Sequence, residues 1–114
     1  MRAILIDARS QTVREIEIEP EAHGELLKAI YAAIGCRWVE RVRLDDHDLW
    51  IDAERRTNGT ESGFSLAGRP FFGSGLILGH DDHGRSTAAT MNLSALQRHV
   101  DFWIVVPSAD AALH

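Results

Sequence analysis

Met1-Arg2-Ala3-Ile4-Leu5-Ile6-Asp7 and Thr12-Val13-Arg14-Glu15-Ile16-Glu17-Ile18-Glu19, joined by Ala8-Arg9-Ser10-Gln11, decide how this chain is organised. The first stretch is a short apolar run and predicts a buried strand. The second alternates, with Ile16 and Ile18 on one face and Val13, Glu15, Glu17 and Glu19 on the other, which predicts a half-buried strand. Two such strands around a polar turn make a hairpin. Pro20 then stands at a first helical position with Glu21 in the first turn, where the helix dipole favours an acid. Leu26, Leu27, Ile30, Tyr31 and Ile34 recur at helical spacing, and Gly35 supplies the stop.

Working outward, residues 37–44 alternate again, with Trp38, Val42 and Leu44 opposite Arg37, Val39, Arg41 and Arg43. Asp45-Asp46-His47-Asp48 reads as a polar turn and residues 49–53 as a returning strand. Seven of the nine glycines fall between Gly59 and Gly84, which predicts short strands and tight turns there, among them Phe64-Ser65-Leu66 and Leu76-Ile77-Leu78. Residues 87–91 are expected to pair with the latter. Asn92 or Ser94 can cap a second helix, and Ser94-Ala95-Leu96-Gln97 has capping-box form. Residues 102–106 would close the sheet before Pro107. The expected fold is therefore α+β: a largely antiparallel sheet, with one longer helix and one short C-terminal helix packed on one face. A single domain over 1–106 and a disordered tail over 107–114 complete that expectation.

Composition narrows the function. The 114 residues carry 17 acidic and 12 basic side chains, a net charge of -5, with 45% hydrophobic and 25% charged residues. Intrinsic disorder and a membrane-spanning helix are excluded. Nucleic acid is a poor partner for a chain of this sign, because binding it relies on a positive footprint. Cys36 is the single cysteine, so no disulfide forms within the chain. With no stretch of signal-peptide type at its start, the cytoplasm is the expected compartment.

Three groups of residues carry candidate chemistry. Glu15, Glu17 and Glu19 form one charged strand face and Arg37, Arg41 and Arg43 another. If the two strands are neighbours, these faces make a solvated cross-strand ladder; otherwise the arginine stripe can hold a phosphate or an acidic partner. Asp45-Asp46-His47-Asp48 and His80-Asp81-Asp82-His83 together offer His47, His80 and His83 as metal ligands, and with them a metal-dependent hydrolase as an alternative function. That spacing is not an established helical ligand motif, and Asp is common in turns for its own backbone hydrogen bonds. Trp50, Phe71 and Phe72, beside the arginine stripe, are a candidate protein-binding surface. No cofactor is expected: Gly73-Ser74-Gly75 completes neither a dinucleotide fingerprint nor a phosphate loop. Cys36 follows the helix-ending glycine as a small packing residue and has no recognisable catalytic partner.

The order of motifs resembles an uncharacterised family, the domain-of-unknown-function class numbered 3846. The resemblance rests on Met1-Arg2-Ala3-Ile4-Leu5-Ile6-Asp7 leading into Val13-Arg14-Glu15-Ile16-Glu17-Ile18, and on Ile34-Gly35-Cys36 leading into Val42-Arg43-Leu44-Asp45-Asp46 and Leu49-Trp50-Ile51-Asp52. Gly75-Leu76-Ile77-Leu78-Gly79 with its acidic turn and the final short helix continue it. That family is associated with phages, plasmids and other mobile elements, with no known activity or cofactor. The resemblance implies an accessory protein that binds a host protein or itself, with inhibition of a host defence system as one such role.

Overall fold

The computed structural model describes residues 1–19, 25–54 and 62–105. In chain order they form β1 (Arg2–Asp7), β2 (Thr12–Glu17), α1 (Glu25–Ile34), β3 (Val39–Leu44), β4 (His47–Asp52), β5 (Ser62–Leu66), β6 (Arg69–Phe72), β7 (Gly75–His80), β8 (Ser86–Thr87), α2 (Leu93–Arg98) and β9 (Val100–Ile104). The fold is α+β, every strand pair is antiparallel, and the longer helix precedes the short C-terminal one. The expected helix entry at Pro20 and Glu21 and the expected tail at 107–114 lie outside the described residues.

One sheet was expected, and the strands form two. The main sheet runs β2-β1-β7-β4-β3 with β8 added to the end of β7; a smaller one runs β6-β5-β9. The physical reason is in the middle strands. Ala3, Ile4, Leu5 and Ile6 are all buried, as are Leu76, Ile77 and Leu78. A strand with one wet face alternates, whereas consecutive apolar residues need cover on both faces. On one face, Ile30 and Ile34 of α1 pack on Ala3, Leu5, Leu76 and Leu78. On the other, Ile4, Ile6, Leu49, Ile51 and Ile77 meet Phe64, Phe71, Leu96 and Val100 from the small sheet and α2. The two helices thus divide between the faces.

Two further expectations change for local reasons. The segment expected as a strand over 87–91 keeps only Ser86–Thr87 in the sheet, paired with His80 and Gly79. Beyond it the backbone is claimed by other groups. Ala89 N–H donates to Arg2 O at 2.7 Å, and the Arg2 guanidinium donates back to Ala89 O and Met91 O at 2.9 and 3.0 Å. Thr90 N–H donates to His47 Nε2 at 3.0 Å. This crossover carries the chain to α2, which Asn92 caps through a bond from the Ala95 amide at 2.9 Å. The last strand then starts at Val100, earlier than expected, and joins β5 in the small sheet. Arg69–Phe72 forms a strand that the sequence left open; Pro70 is tolerated because β6 is an edge.

The β5–β6 turn holds a correctable strain. Leu66 pairs with Arg69 around Ala67-Gly68, with φ of 49° and 85°. Both values are left-handed, as a two-residue hairpin of the mirror-image type requires, and Asn-Gly is the preferred pair for it. Ala67 is exposed. Replacing Ala67 by Asn is expected to raise stability by about 0.5–1 kcal/mol by removing a left-handed alanine. Urea denaturation measures it, and an unchanged or lowered midpoint contradicts this account of the turn.

Candidate functional site: a buried carboxylate beneath two edge arginines

The site begins with hairpin register. Asp45-Asp46 is a two-residue turn with Asp45 at φ 49°, and Leu44 pairs with His47 across it. Counting outward, Arg43 falls opposite Asp48 and Arg41 opposite Trp50. Ala53 N–H donates to Trp38 O at 2.9 Å, so Trp38 and Ala53 are a hydrogen-bonded pair. Alternation along an antiparallel ladder then makes Arg41/Trp50 and Arg43/Asp48 non-hydrogen-bonded pairs, whose side chains approach most closely. These side chains share the α1 face with Leu76, Leu78 and His80.

Asp48 is wholly buried. Around its carboxylate stand Arg41 Nη1 at 3.9 Å, Arg43 Nε at 3.9 Å and His80 Nδ1 at 3.3 Å. Arg41 also lies over the Trp50 ring, 5.6 Å from its centroid. The guanidiniums are close enough for Coulomb attraction and too far for hydrogen bonds. Both Asp48 oxygens, Trp50 Nε1 and His80 Nδ1 are buried without a hydrogen-bond partner. Removing a carboxylate from water costs several kcal/mol, and unmade hydrogen bonds leave that cost poorly offset. Above it, the Arg41 and Arg43 side chains are 44% and 61% exposed, so their outer N–H groups face solvent.

The two histidine–aspartate turns do lie side by side. His80 N–H donates to Asp46 O at 3.4 Å, because the start of β4 runs beside the end of β7. They do not assemble the three histidines. His47 points to the face opposite His80, where its Nε2 accepts from Thr90 N–H, so its Nδ1–H donates to Asp46 Oδ1 at 2.8 Å. That hydrogen bond holds the Asp46 carboxyl below its ordinary range. His83 is exposed, and its amide is tied to Asp81 Oδ1 at 2.9 Å. Among the described residues, no three His, Cys, Asp or Glu side chains are grouped to hold a metal ion.

The aromatic surface is likewise divided. Trp50 is half-buried on the α1 face, whereas Phe71 is buried between the sheets, 5.3 Å from Phe64. Phe72 lies edge-on to Trp103 at 5.0 Å. Trp38, placed by alternation with the inward residues Val42 and Leu44, is 62% exposed just before β3 begins. The Glu15–Glu17–Glu19 and Arg37–Arg41–Arg43 faces form no ladder, since β2 and β3 are opposite edges of the sheet. Glu15 instead takes Arg2 at 2.6 Å, which holds its carboxyl low, and Arg37 takes Glu54 at 3.1 Å. Asp48 is the residue that sequence reading missed; register counted from the Asp45-Asp46 turn places it opposite Arg43.

A family model described as a domain of unknown function, DUF3846, matches residues 1–101. The chain belongs to the DUF3846 family. No curated protein and no solved structure matches it. Among the described residues of this DUF3846 chain, no helix is long and apolar enough to cross a membrane.

Two measurements test the chemistry of this DUF3846 domain. Asp48→Asn is expected to change stability by less than about 1 kcal/mol, since the arginines it releases reach water. Arg41→Gln with Arg43→Gln is expected to cost about 3 kcal/mol, because it strands a buried charge. The reverse order in urea denaturation contradicts this electrostatic account. Cys36, by contrast, is quiet: burial, then the Asp52 carboxylate, push its thiol up to about 11. Alkylation at pH 7.5 should run roughly a hundredfold slower than for free cysteine and still be climbing between about pH 9 and 10. A rate matching free cysteine would show an accessible, unperturbed thiol.

Proposed function

We propose that this chain is a protein-binding module without enzymatic activity, an accessory protein of a phage or plasmid that holds a host protein and thereby inhibits a host defence system. One observation carries the reading: two guanidiniums of the edge strand β3 stand over a single buried carboxylate of its neighbour β4. The cluster keeps a local positive excess on a chain whose net charge is -5. Such a spot is too small to hold nucleic acid against the surrounding negative field, and well suited to acidic side chains of a protein. Arginine and tryptophan are also the residue types that concentrate binding energy at interfaces, and here Arg41, Arg43 and Trp50 lie on one face of one hairpin. The phage or plasmid setting is supported by membership of DUF3846 and the resemblance it rests on.

Affinity capture from host lysate tests the proposal. The comparison is between the natural chain and a variant carrying Arg41→Gln, Arg43→Gln and Asp48→Asn, which removes the arginine charge without stranding the aspartate. A defined host protein retained by the first and reduced roughly tenfold by the second is the expected result. The same proteins retained equally by both would overturn it.

A further inference from the structure

We infer that the chain associates with copies of itself head to tail, the β3 edge of one copy pairing antiparallel with the β2 edge of the next. Host binding is not needed for this; the two uses of the arginine edge compete. Both edges offer backbone. Because Trp38/Ala53 is a hydrogen-bonded pair, the N–H and C=O groups of Arg41 and Arg43 point away from β4. Met1 and Ile18 exchange hydrogen bonds in the same way. Alternation therefore turns the N–H and C=O groups of Val13, Glu15 and Glu17 away from β1. Val13 O is taken by Gln97 Nε2 at 2.9 Å, so the edge open to a partner starts at Glu15. Among the described residues no strand pairs with either outer edge.

Topology decides which faces meet. Four antiparallel steps lead from β2 through β1, β7 and β4 to β3, so the two edge strands run in the same direction. A second copy sets its β2 antiparallel to β3 only by turning over about an axis across the strands. Within one copy Arg41 and Arg43 lie on the α1 face, whereas Glu15 and Glu17 lie on the other, opposite Ile4 and Arg2. Turning over brings the second copy's glutamates onto the arginine face. One register uses the open backbone of both edges: Arg41 opposite Glu17 of the second copy, and Arg43 opposite its Glu15. On the reverse face that register sets Ile16 of the second copy opposite Val42, both half-buried. Charge meets opposite charge on one face and apolar meets apolar on the other. Glu15 and Glu17 meet Arg2 and the amino terminus of their own chain, yet their side chains stay 51% and 71% exposed. A carboxylate accepts from several donors, so each can take an arginine from outside as well.

Other self-pairings match less well. Two β3 strands paired antiparallel set guanidinium against guanidinium, and two β2 strands set carboxylate against carboxylate, which is destabilising across a ladder. Parallel pairing of β2 with β3 leaves both copies the same way up and brings Arg14 to the arginine face. Pairing unlike edges leaves one of each open on every growing end. Further copies therefore add on the same terms, and size rises with concentration.

The test uses the full chain at rising concentration in analytical ultracentrifugation. The natural chain is expected to grow past the dimer, with association weakened roughly tenfold between about 50 and 500 mM salt. Two variants each spoil one edge: Glu15→Gln with Glu17→Gln, and Arg41→Gln with Arg43→Gln and Asp48→Asn. Each alone is expected to associate roughly tenfold more weakly. Mixed, they join the sound β2 of one to the sound β3 of the other and stop at the dimer. A natural chain still monomeric at about 1 mM overturns head-to-tail pairing. So does either variant assembling as well as the natural chain, or a mixture that stays monomeric. Should the triple variant fold poorly, hydrogen exchange on the natural chain decides alone. The Glu15, Glu17, Arg41 and Arg43 amides are expected to slow together as concentration rises. Slowing on one edge only, the mark of like edges pairing, overturns the proposal, as does slowing that appears only when host lysate is added. Assembly with host capture indifferent to the arginines keeps head-to-tail pairing and removes the host-binding reading. A monomer that captures a host protein through Arg41 and Arg43 does the reverse.

Discussion

A sheet whose central strands are apolar on both sides must be covered twice, and the rest of this fold follows from that constraint. β1 and β7 bury every one of their central residues. One ten-residue helix covers one face. The second cover comes from two parts of the chain: β5 and β6, which lie between β4 and β7 in chain order, and the segment that leaves the main sheet after Thr87, crosses its face and adds α2 and β9. That crossing exposes backbone groups that must find partners. Arg2 and His47 supply them, one at each side of the segment, which is why a histidine that resembles a metal ligand in the sequence acts as an acceptor for an amide.

With the apolar strands in the middle, the charged strands are pushed to the margins. β2 and β3 end up as the two edges, separated by three strands. Their opposite charges, so suggestive of a ladder, are edge features. Charge at an edge discourages indiscriminate pairing between copies of a sheet, and within one sheet the complementary sets are held apart at opposite margins. Gly75 shows how close the layers lie: a Cβ there would come within 2.9 Å of Leu49 Cδ1 and of Phe64 Cζ. Phe64 seats directly over the middle of the main sheet, and that contact fixes the small sheet against it.

What the sequence made legible was local. The first hairpin, the helix around Leu26–Ile34 and the β3–β4 hairpin follow from alternation, periodicity and turn chemistry; of the two caps the sequence offered for α2, Asn92 is the one used and Ser94 lies inside the helix. The second sheet was not anticipated, although its cause was visible in consecutive apolar residues where alternation would have meant a wet face. Phe71 and Trp50 were grouped as aromatics of an outer surface beside the arginine stripe, yet register and layer order put the core between them. Trp38 keeps the parity of an inward residue but precedes the strand, beyond what the core covers. Asp48 was taken into a turn because aspartates in a run of Asp and His have that composition. Its place opposite Arg43 is a consequence of a two-residue turn, which composition alone does not distinguish from a four-residue one.

Asp48 is hard to explain by stability. Proteins are stable by only about 5–15 kcal/mol, and a carboxylate buried with neither oxygen hydrogen-bonded uses several of them. Replacing such a group by an apolar residue of similar size is often neutral or stabilising. Trp50 and Leu78 on either side show that the face accepts apolar residues. What the carboxylate does that an apolar residue would not is fix two long cations. Free arginines lose about 2 kcal/mol of rotamer entropy each on binding. Held from below, with one of them also laid on Trp50, they have lost much of it before a partner arrives. On the protein-binding reading proposed above, a buried charge that weakens the fold but preorganises an exposed edge serves recognition, with its cost in the free protein and its gain in the complex.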